Sequence, residues 1–159
     1  FTCQGSLFMQ AGEEFARTKF GDENSFQSGP KLNMLKWSRT VEYKELVDYY
    51  KGLIHLRKKL PGLCDKHKSA ALRKFIHADK VVSFRVDNRD FDQAGEWDEL
   101  YIIYNASLKE HQLDLPAGKW EILADGKVSD CRLKVPEDQA SVTVGAGSGM
   151  LLGRYGVEG

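Results

Sequence analysis

The hydrophobic period of this chain changes once, around Pro61 to Cys64, and that change limits the architectures open to it. Before it, across residues 41–60, apolar side chains recur at three- and four-residue steps: Leu46, Tyr49, Tyr50, Leu53, Leu56 and Leu60. Lys44, Glu45, Lys51, Arg57, Lys58 and Lys59 take the other face, so the segment predicts one amphipathic helix. Its basic residues gather in the last turns, where they complement the helix dipole, and Pro61-Gly62 stops it. After the change, residues 70–76, 81–86, 100–104, 111–115, 119–123, 140–144 and 150–154 read as short strands. Turn clusters such as Asp87-Asn88, Ala117-Gly118, Asp125-Gly126 and the glycine-rich run 145–149 separate them. Strands of this length and spacing predict an antiparallel β-sandwich, with Asp125-Gly126 as a tight hairpin turn. The stretch RVDNRDFDQAGEW, residues 85–97, is too polar for a core and reads as a mobile loop.

Residues 5–37, GSLFMQAGEEFARTKFGDENSFQSGPKLNMLKW, have the composition of a ligand-facing segment. Leu7-Phe8-Met9 is a continuous apolar run, so residues 6–10 predict a strand of the buried, parallel kind. The run passes into a loop dense in Gly, Asp, Asn and Ser, which presents polar groups on a flexible backbone. A buried strand ending in such a loop is how an α/β barrel builds its active-site face. Residues 13–18 predict a helical turn opening on Glu13 and Glu14, carboxylates suited to the positive end of a helix dipole. They either shape a cleft at the strand's end, or pair with Arg17 and Lys19 and cap the turn. Asp22, Glu23, Asn24 and Ser25 follow Gly21 and admit three readings. They hydrogen-bond sugar hydroxyls, hold a calcium ion through oxygen ligands, or form an Asx-turn and helix cap. Phe26 and Trp37 offer apolar faces on which a sugar ring stacks, or plug a core.

The 159 residues balance 23 basic against 23 acidic side chains, evenly mixed, which argues against a nucleic-acid partner or an acidic membrane surface. No run approaches the length of a membrane span. Cys3, Cys64 and Cys131 are too few and too scattered for a disulfide scaffold, and an odd number leaves a free thiol. That favours a reducing compartment without excluding a secreted or surface-bound parent. His55, His67, His77 and His111 never fall at zinc-ligand spacing.

The front segment also carries a resemblance. Gly5, then Phe8 through Phe15, Arg17-Thr18-Lys19, Gly21-Asp22, Asn24-Ser25-Phe26, Ser28, Asn33 and Trp37 resemble the pattern around the eighth barrel strand of the α-amylase superfamily of glycoside hydrolases, most closely the type I pullulanases. YYKGLIHLRKKLPGL, residues 49–63, is similar to that superfamily's final barrel helix, and the tail ending in SVTVGAGSGMLLGR to its trailing β-rich domain. The resemblance implies a mostly β fragment: residues 1–63 as the last strand, loop and helix of a (β/α)8 barrel, and residues 64–159 as a C-terminal antiparallel β-sandwich. A whole barrel takes roughly 250 residues, and the family's catalytic Asp, Glu and Asp lie on earlier strands. The implied parent is therefore an α-1,6 debranching glycosidase acting by the retaining route, and this fragment is expected to be inactive alone. A retaining pair sits about 5 Å apart across the bond it cuts, whereas adjacent carboxylates in one turn point apart. Glu13, Glu14, Asp22, Asn24, Ser25 and Phe26 are accordingly expected to support the substrate cleft, with no catalytic residue among them.

The implied partner is an α-glucan, and no cofactor is implied, with calcium open for the parent. Two positions depart from the family pattern. Pro30 stands where an Asp contributes to donor-side sugar binding, and Lys36 where an acid precedes the Trp, which leaves a branching enzyme as the rival within the superfamily. A non-catalytic glucan-binding module is the rival outside it. Such a module needs an exposed aromatic row, for which Trp97, Tyr101, Tyr104 and Trp120 are the candidates. Tyr101 and Tyr104 fall on opposite faces of a strand, so the sandwich is expected rather to shield the helix's apolar stripe. An isolated strand at residues 7–11 would have open edges and invite self-association.

Overall fold

The computed structural model describes residues 1–64, 71–89 and 94–156. They fall into two compact units: Phe8–Lys51, and a second made of Phe1–Leu7 with Gly52–Gly159.

The first unit has little regular structure. Single 3-10 turns form at Glu13–Phe15 and Ser25–Gln27, followed by one-turn helices α1 (Pro30–Asn33) and α2 (Arg39–Glu42). The predicted amphipathic helix is α3, Lys44–Lys59, which begins later than its hydrophobic pattern because Tyr43 leaves helical geometry at φ −109°, ψ 39°. Pro61 ends it as expected, since proline offers no amide to continue the ladder, and then opens the short helix α4, Pro61–Cys64.

The second unit is built on β1 (Ala71–Ala78), β2 (Val81–Arg89), β3 (Ala94–Asn105), β4 (His111–Asp114), β5 (Trp120–Ala124), β6 (Ser129–Lys134), β7 (Ser141–Val144) and β8 (Ser148–Arg154). A six-stranded sheet runs β1-β2-β3-β8-β5-β6 and a two-stranded sheet pairs β4 with β7. Every pairing is antiparallel. The register sets the two faces of the large sheet. Ile102 lies opposite Leu151, and both pack with Leu56, Leu60 and Leu63 from the helical side. Tyr101 opposite Leu152 and Ile103 opposite Met150 point the other way, into a second core with Leu113, Val142 and Val144 of the small sheet. The large sheet thus buries the end of the helix's apolar stripe, Leu53, Leu56 and Leu60, on one face and the small sheet on the other, as the shielding reading expects.

Asp125-Gly126 makes the hairpin foreseen. Asp125 N–H donates to Val128 C=O at 2.9 Å, and its carboxylate accepts from the amides of Lys127 and Val128.

Three expectations are corrected. Residues 6–10 form no strand: Leu7 and Phe8 are exposed, because none of the described strands runs beside them to take up their amides and carbonyls. Residues 85–97 are not a loop. Residues 85–89 complete β2 and 94–97 open β3, so Asp87-Asn88 is strand and not turn, while 90–93 lie outside the described residues. Their polarity is absorbed by pairing. The buried Asn88 accepts from Gly62 N–H and donates to Trp97 C=O, and Arg85 pairs with Glu99 across the strands. The strand Ser129–Lys134 was not among those foreseen, since as an edge strand it has exposed side chains along most of its length.

Candidate functional site

The loop of the first unit is organised by Gly12. Its φ of 101° lies in the left-handed region, and a Cβ there would come within 2.6 Å of Arg17 Cδ, so only glycine is accommodated without strain. This turn lets Gly12 C=O accept from the amides of Phe15 and Arg17, while Gly12 N–H donates to the Glu14 carboxylate at 2.9 Å. Glu14 therefore caps the turn, and Glu13 beside it is exposed. The foreseen pairing of these acids with Arg17 and Lys19 does not form among the described residues. Arg17 donates instead to the carbonyls of Ala11, at 3.0 Å, and Asn33, at 2.5 Å, and Lys19 donates to the Asn33 side chain.

Asn33 is the hub that sequence reasoning passed over as one more matching residue. Its amide donates to Ser25 C=O at 2.8 Å and Ser28 C=O at 2.7 Å, clamping the 3-10 turn Ser25–Gln27. Asp22 forms the Asx-turn foreseen: one carboxylate oxygen accepts from Asn24 N–H at 3.0 Å, and the other accepts from Ser28 Oγ at 2.5 Å. Asp22, Asn24 and Ser25 are thus brought together in one exposed loop, with Phe26 projecting from it at 74% exposure. Among the described residues no hydrogen bond ties this loop to Glu13 or Glu14, and no group of three His, Cys, Asp or Glu side chains is placed to hold a metal ion.

Trp37, offered with Phe26 as a stacking face or a core plug, stands against Phe15. Phe15 is buried, Trp37 is 65% exposed, and their rings meet at 5.7 Å between centroids. Arg39 holds the Phe15 turn from below by donating to Phe15 C=O and Ala16 C=O, and lies over the Tyr43 ring at 4.4 Å. A shallow pocket opens between these elements, lined by Phe15, Arg17, Thr18, Phe20, Lys31, Leu32, Met34, Lys36 and Arg39.

In the β unit, three of the four candidate platform aromatics are interior: Trp97, Tyr101 and Trp120 are all buried, and Tyr104 is half-buried against Phe84. Burial drives the Tyr104 hydroxyl well above its usual range. These side chains present no open aromatic row. The strongest electrostatic feature is Glu99, fully buried in β3 and held by Arg85 and Arg154. Burial alone would raise its pKa, but hydrogen bonds from the two guanidinium groups outweigh it and keep Glu99 below the ordinary carboxylate range.

Residues 73–128 match the family model described as "Pullulanase, all-beta domain". A curated pullulanase of Bacillus subtilis (strain 168) is 36% identical over 119 residues, which are 72% of this chain and 16% of that protein. The chain is pullulanase-like. Among solved structures, the pullulanase from Bacillus acidopullulyticus superposes with a TM-score of 0.83 at 31% identity, over 96% of this chain and 19% of that one. A pullulanase from Paenibacillus barengoltzii, in complex with maltohexaose and alpha-cyclodextrin, gives a TM-score of 0.72 at 33% identity over 98% of this chain and 24% of that one. The pullulanase-like chain therefore spans about a sixth of the length of the curated relative it matches. The likeness covers the irregular front unit as well as the sheets, as the sequence resemblance anticipated.

Proposed function

We propose that this chain is the C-terminal part of an α-glucan debranching enzyme that hydrolyses α-1,6-glucosidic bonds by the retaining route, and that the chain itself supplies no catalytic residue. The observation that carries the reading is the joint likeness in sequence and fold to a pullulanase over 96% of the chain. We assign residues 1–63 to the end of the catalytic barrel and 64–159 to the trailing sandwich. Glu13, Glu14, Asp22, Asn24, Ser25 and Phe26 act as supporting groups of the glucan cleft. Glu14 and Asp22 do so by fixing turns through the amides they accept, and Phe26 by its exposed ring. The sandwich acts as scaffold rather than as a glucan-binding module, a role its buried aromatics suit.

Isolated from the rest of such an enzyme, the chain exposes Phe8, Phe20, Phe26, Trp37 and Val41. We expect it to self-associate through them, and a single monomeric species in sedimentation would refute this. The test of the main reading is an assay of the longer protein on pullulan beside amylose. Maltotriose released from pullulan with amylose untouched supports debranching. Intact pullulan would favour a branching or α-1,4-acting enzyme, a reading to which Pro30 and Lys36 lend weight.

A further inference from the structure

The pocket of the first unit has a lining of one sign. Four of its residues are cationic, Arg17, Lys31, Lys36 and Arg39, and none is acidic. Not all of these charges are spent on the fold. Both terminal nitrogens of Arg17 donate to carbonyls, but its Nε is buried with no hydrogen-bond partner among the described residues. Arg39 uses Nε and Nη2 on carbonyls, and its Nη1 lies 3.9 Å from Glu42, too long for a hydrogen bond. Lys31 and Lys36 are exposed, and their ammonium groups make no hydrogen bond or ion pair among the described residues. Thr18, also in the lining, accepts from Phe20 N–H through Oγ1 and keeps its own hydroxyl proton to donate.

Clustered cations repel, and an oxyanion entering this space would relieve that repulsion. We propose that the pocket is a binding site for a phosphate monoester or free phosphate. Such a group carries close to two negative charges and three acceptor oxygens, which match the Thr18 hydroxyl and the two lysines, with the Arg17 and Arg39 charges behind them. Guanidinium and ammonium together give the charge-assisted bonds that phosphate recognition uses. The version in which the phosphate sits on a glucose unit rests on the α-glucan reading above, whereas the anion site itself does not.

The test is a titration of the chain with inorganic phosphate, followed by the Thr18 and Lys36 backbone amide resonances in a 15N-resolved spectrum. The expected result is saturable binding with a shift of those resonances. Lys36→Glu should weaken it by about tenfold or more, the scale of one charged hydrogen bond, and Lys31→Gln should weaken it measurably. Both positions are exposed, so the variants keep the parent spectrum elsewhere. Added chloride should weaken binding through screening. Glucose 6-phosphate binding more tightly than phosphate would identify a phosphorylated sugar as the ligand, and equal affinity would identify free phosphate. Absence of saturation, or affinity unchanged by Lys36→Glu, overturns the proposal. Activity of the longer protein on unphosphorylated pullulan is scored separately, so failure of the debranching reading and failure of the anion site are told apart.

Discussion

Gly153→Ala is the most incisive perturbation of the sheet unit. Gly153 is buried in β8, opposite Leu100 on one side and Glu121 on the other. Its backbone does not require glycine; the Trp97 indole does. A Cβ at residue 153 would lie 2.5 Å from Trp97 Cγ and 2.6 Å from Cδ1, roughly 1 Å inside ordinary carbon–carbon contact. The ring cannot yield easily, because it is buried, donates through Nε1 to Glu121 at 3.0 Å, and lies under the Arg132 guanidinium at 5.0 Å. Overpacking of this kind costs about 1–3 kcal/mol. If the indole moves far enough to lose its charged acceptor, about 1.5–3 kcal/mol more is at stake. We therefore expect Gly153→Ala to destabilise the unit by about 2–4 kcal/mol, a fall in Tm on the order of 10 °C for a domain of this size. Urea unfolding followed by tryptophan fluorescence measures it, and the Trp97→Leu background supplies the control. With the ring gone, adding the methyl at residue 153 should cost less than half as much. A loss below about 0.5 kcal/mol, the range of neutral surface changes, or an equal loss in both backgrounds, would refute the argument.

Glu99→Gln leaves Arg85 and Arg154 without their carboxylate and should cost about 3 kcal/mol, as breaking a buried pair does, read by chemical denaturation. The same residue sets an acid limit. Its folded pKa is depressed, so its contribution is complete above the unfolded value of about 4.3 and is lost as pH falls through the folded value. Stability of Glu99→Gln should accordingly change less with pH below that point than that of the parent, and parallel curves would contradict the assignment. Gly52→Ala would gain about 1 kcal/mol in an ordinary helix. Here a Cβ would meet the Ser129 hydroxyl first, with the Ser129 backbone carbon and Cβ both 3.0 Å away, so we expect a net loss, measured by thermal melting and reduced by pairing it with Ser129→Gly. Asn105→Ala should cost about 2–3 kcal/mol, because the buried Asn105 amide donates to Lys109 C=O and Gly145 C=O and its oxygen accepts from Ser107; hydrogen exchange at Ser107 N–H would report the opening.

Much of this architecture was legible because period and turn chemistry act locally. Leu53, Leu56 and Leu60 announced a helix with a buried stripe, and Asp125-Gly126 a hairpin, without reference to any distant residue. The errors fall where a distant partner decides. Arg85, Asp87 and Asn88 look like loop residues until Glu99, Gly62 and Trp97 are placed beside them. Leu7 and Phe8 look like a strand until no described strand is seen to run beside them. In the candidate site, the Asp22 turn was visible because Asx-turns are local, whereas the roles of Arg17, Asn33 and Arg39 were not. Each acts on backbone carbonyls, 16 residues away for Arg17, 5 for Asn33 and 23 for Arg39, and carbonyls carry no sequence signal.

Arg57, near the end of α3, donates to the carbonyls of Phe1 at 2.6 Å, Cys3 at 2.7 Å and Leu63 at 3.1 Å, and also to that of Gly5. With the bond from Gly5 N–H to Leu63 C=O and that between the Thr2 and Tyr104 hydroxyls, this clasps the first residues of the chain to the sheet unit, so both ends of the Phe8–Lys51 segment are anchored in the same unit. Closing such a loop becomes costlier only logarithmically, by about 0.6 kcal/mol for each doubling of its length. An exposed loop within that segment, such as residues 21–29, can therefore lengthen or shorten at small thermodynamic expense to the sheets. In a chain of this design the segment proposed to meet the substrate is the one the scaffold leaves freest to vary.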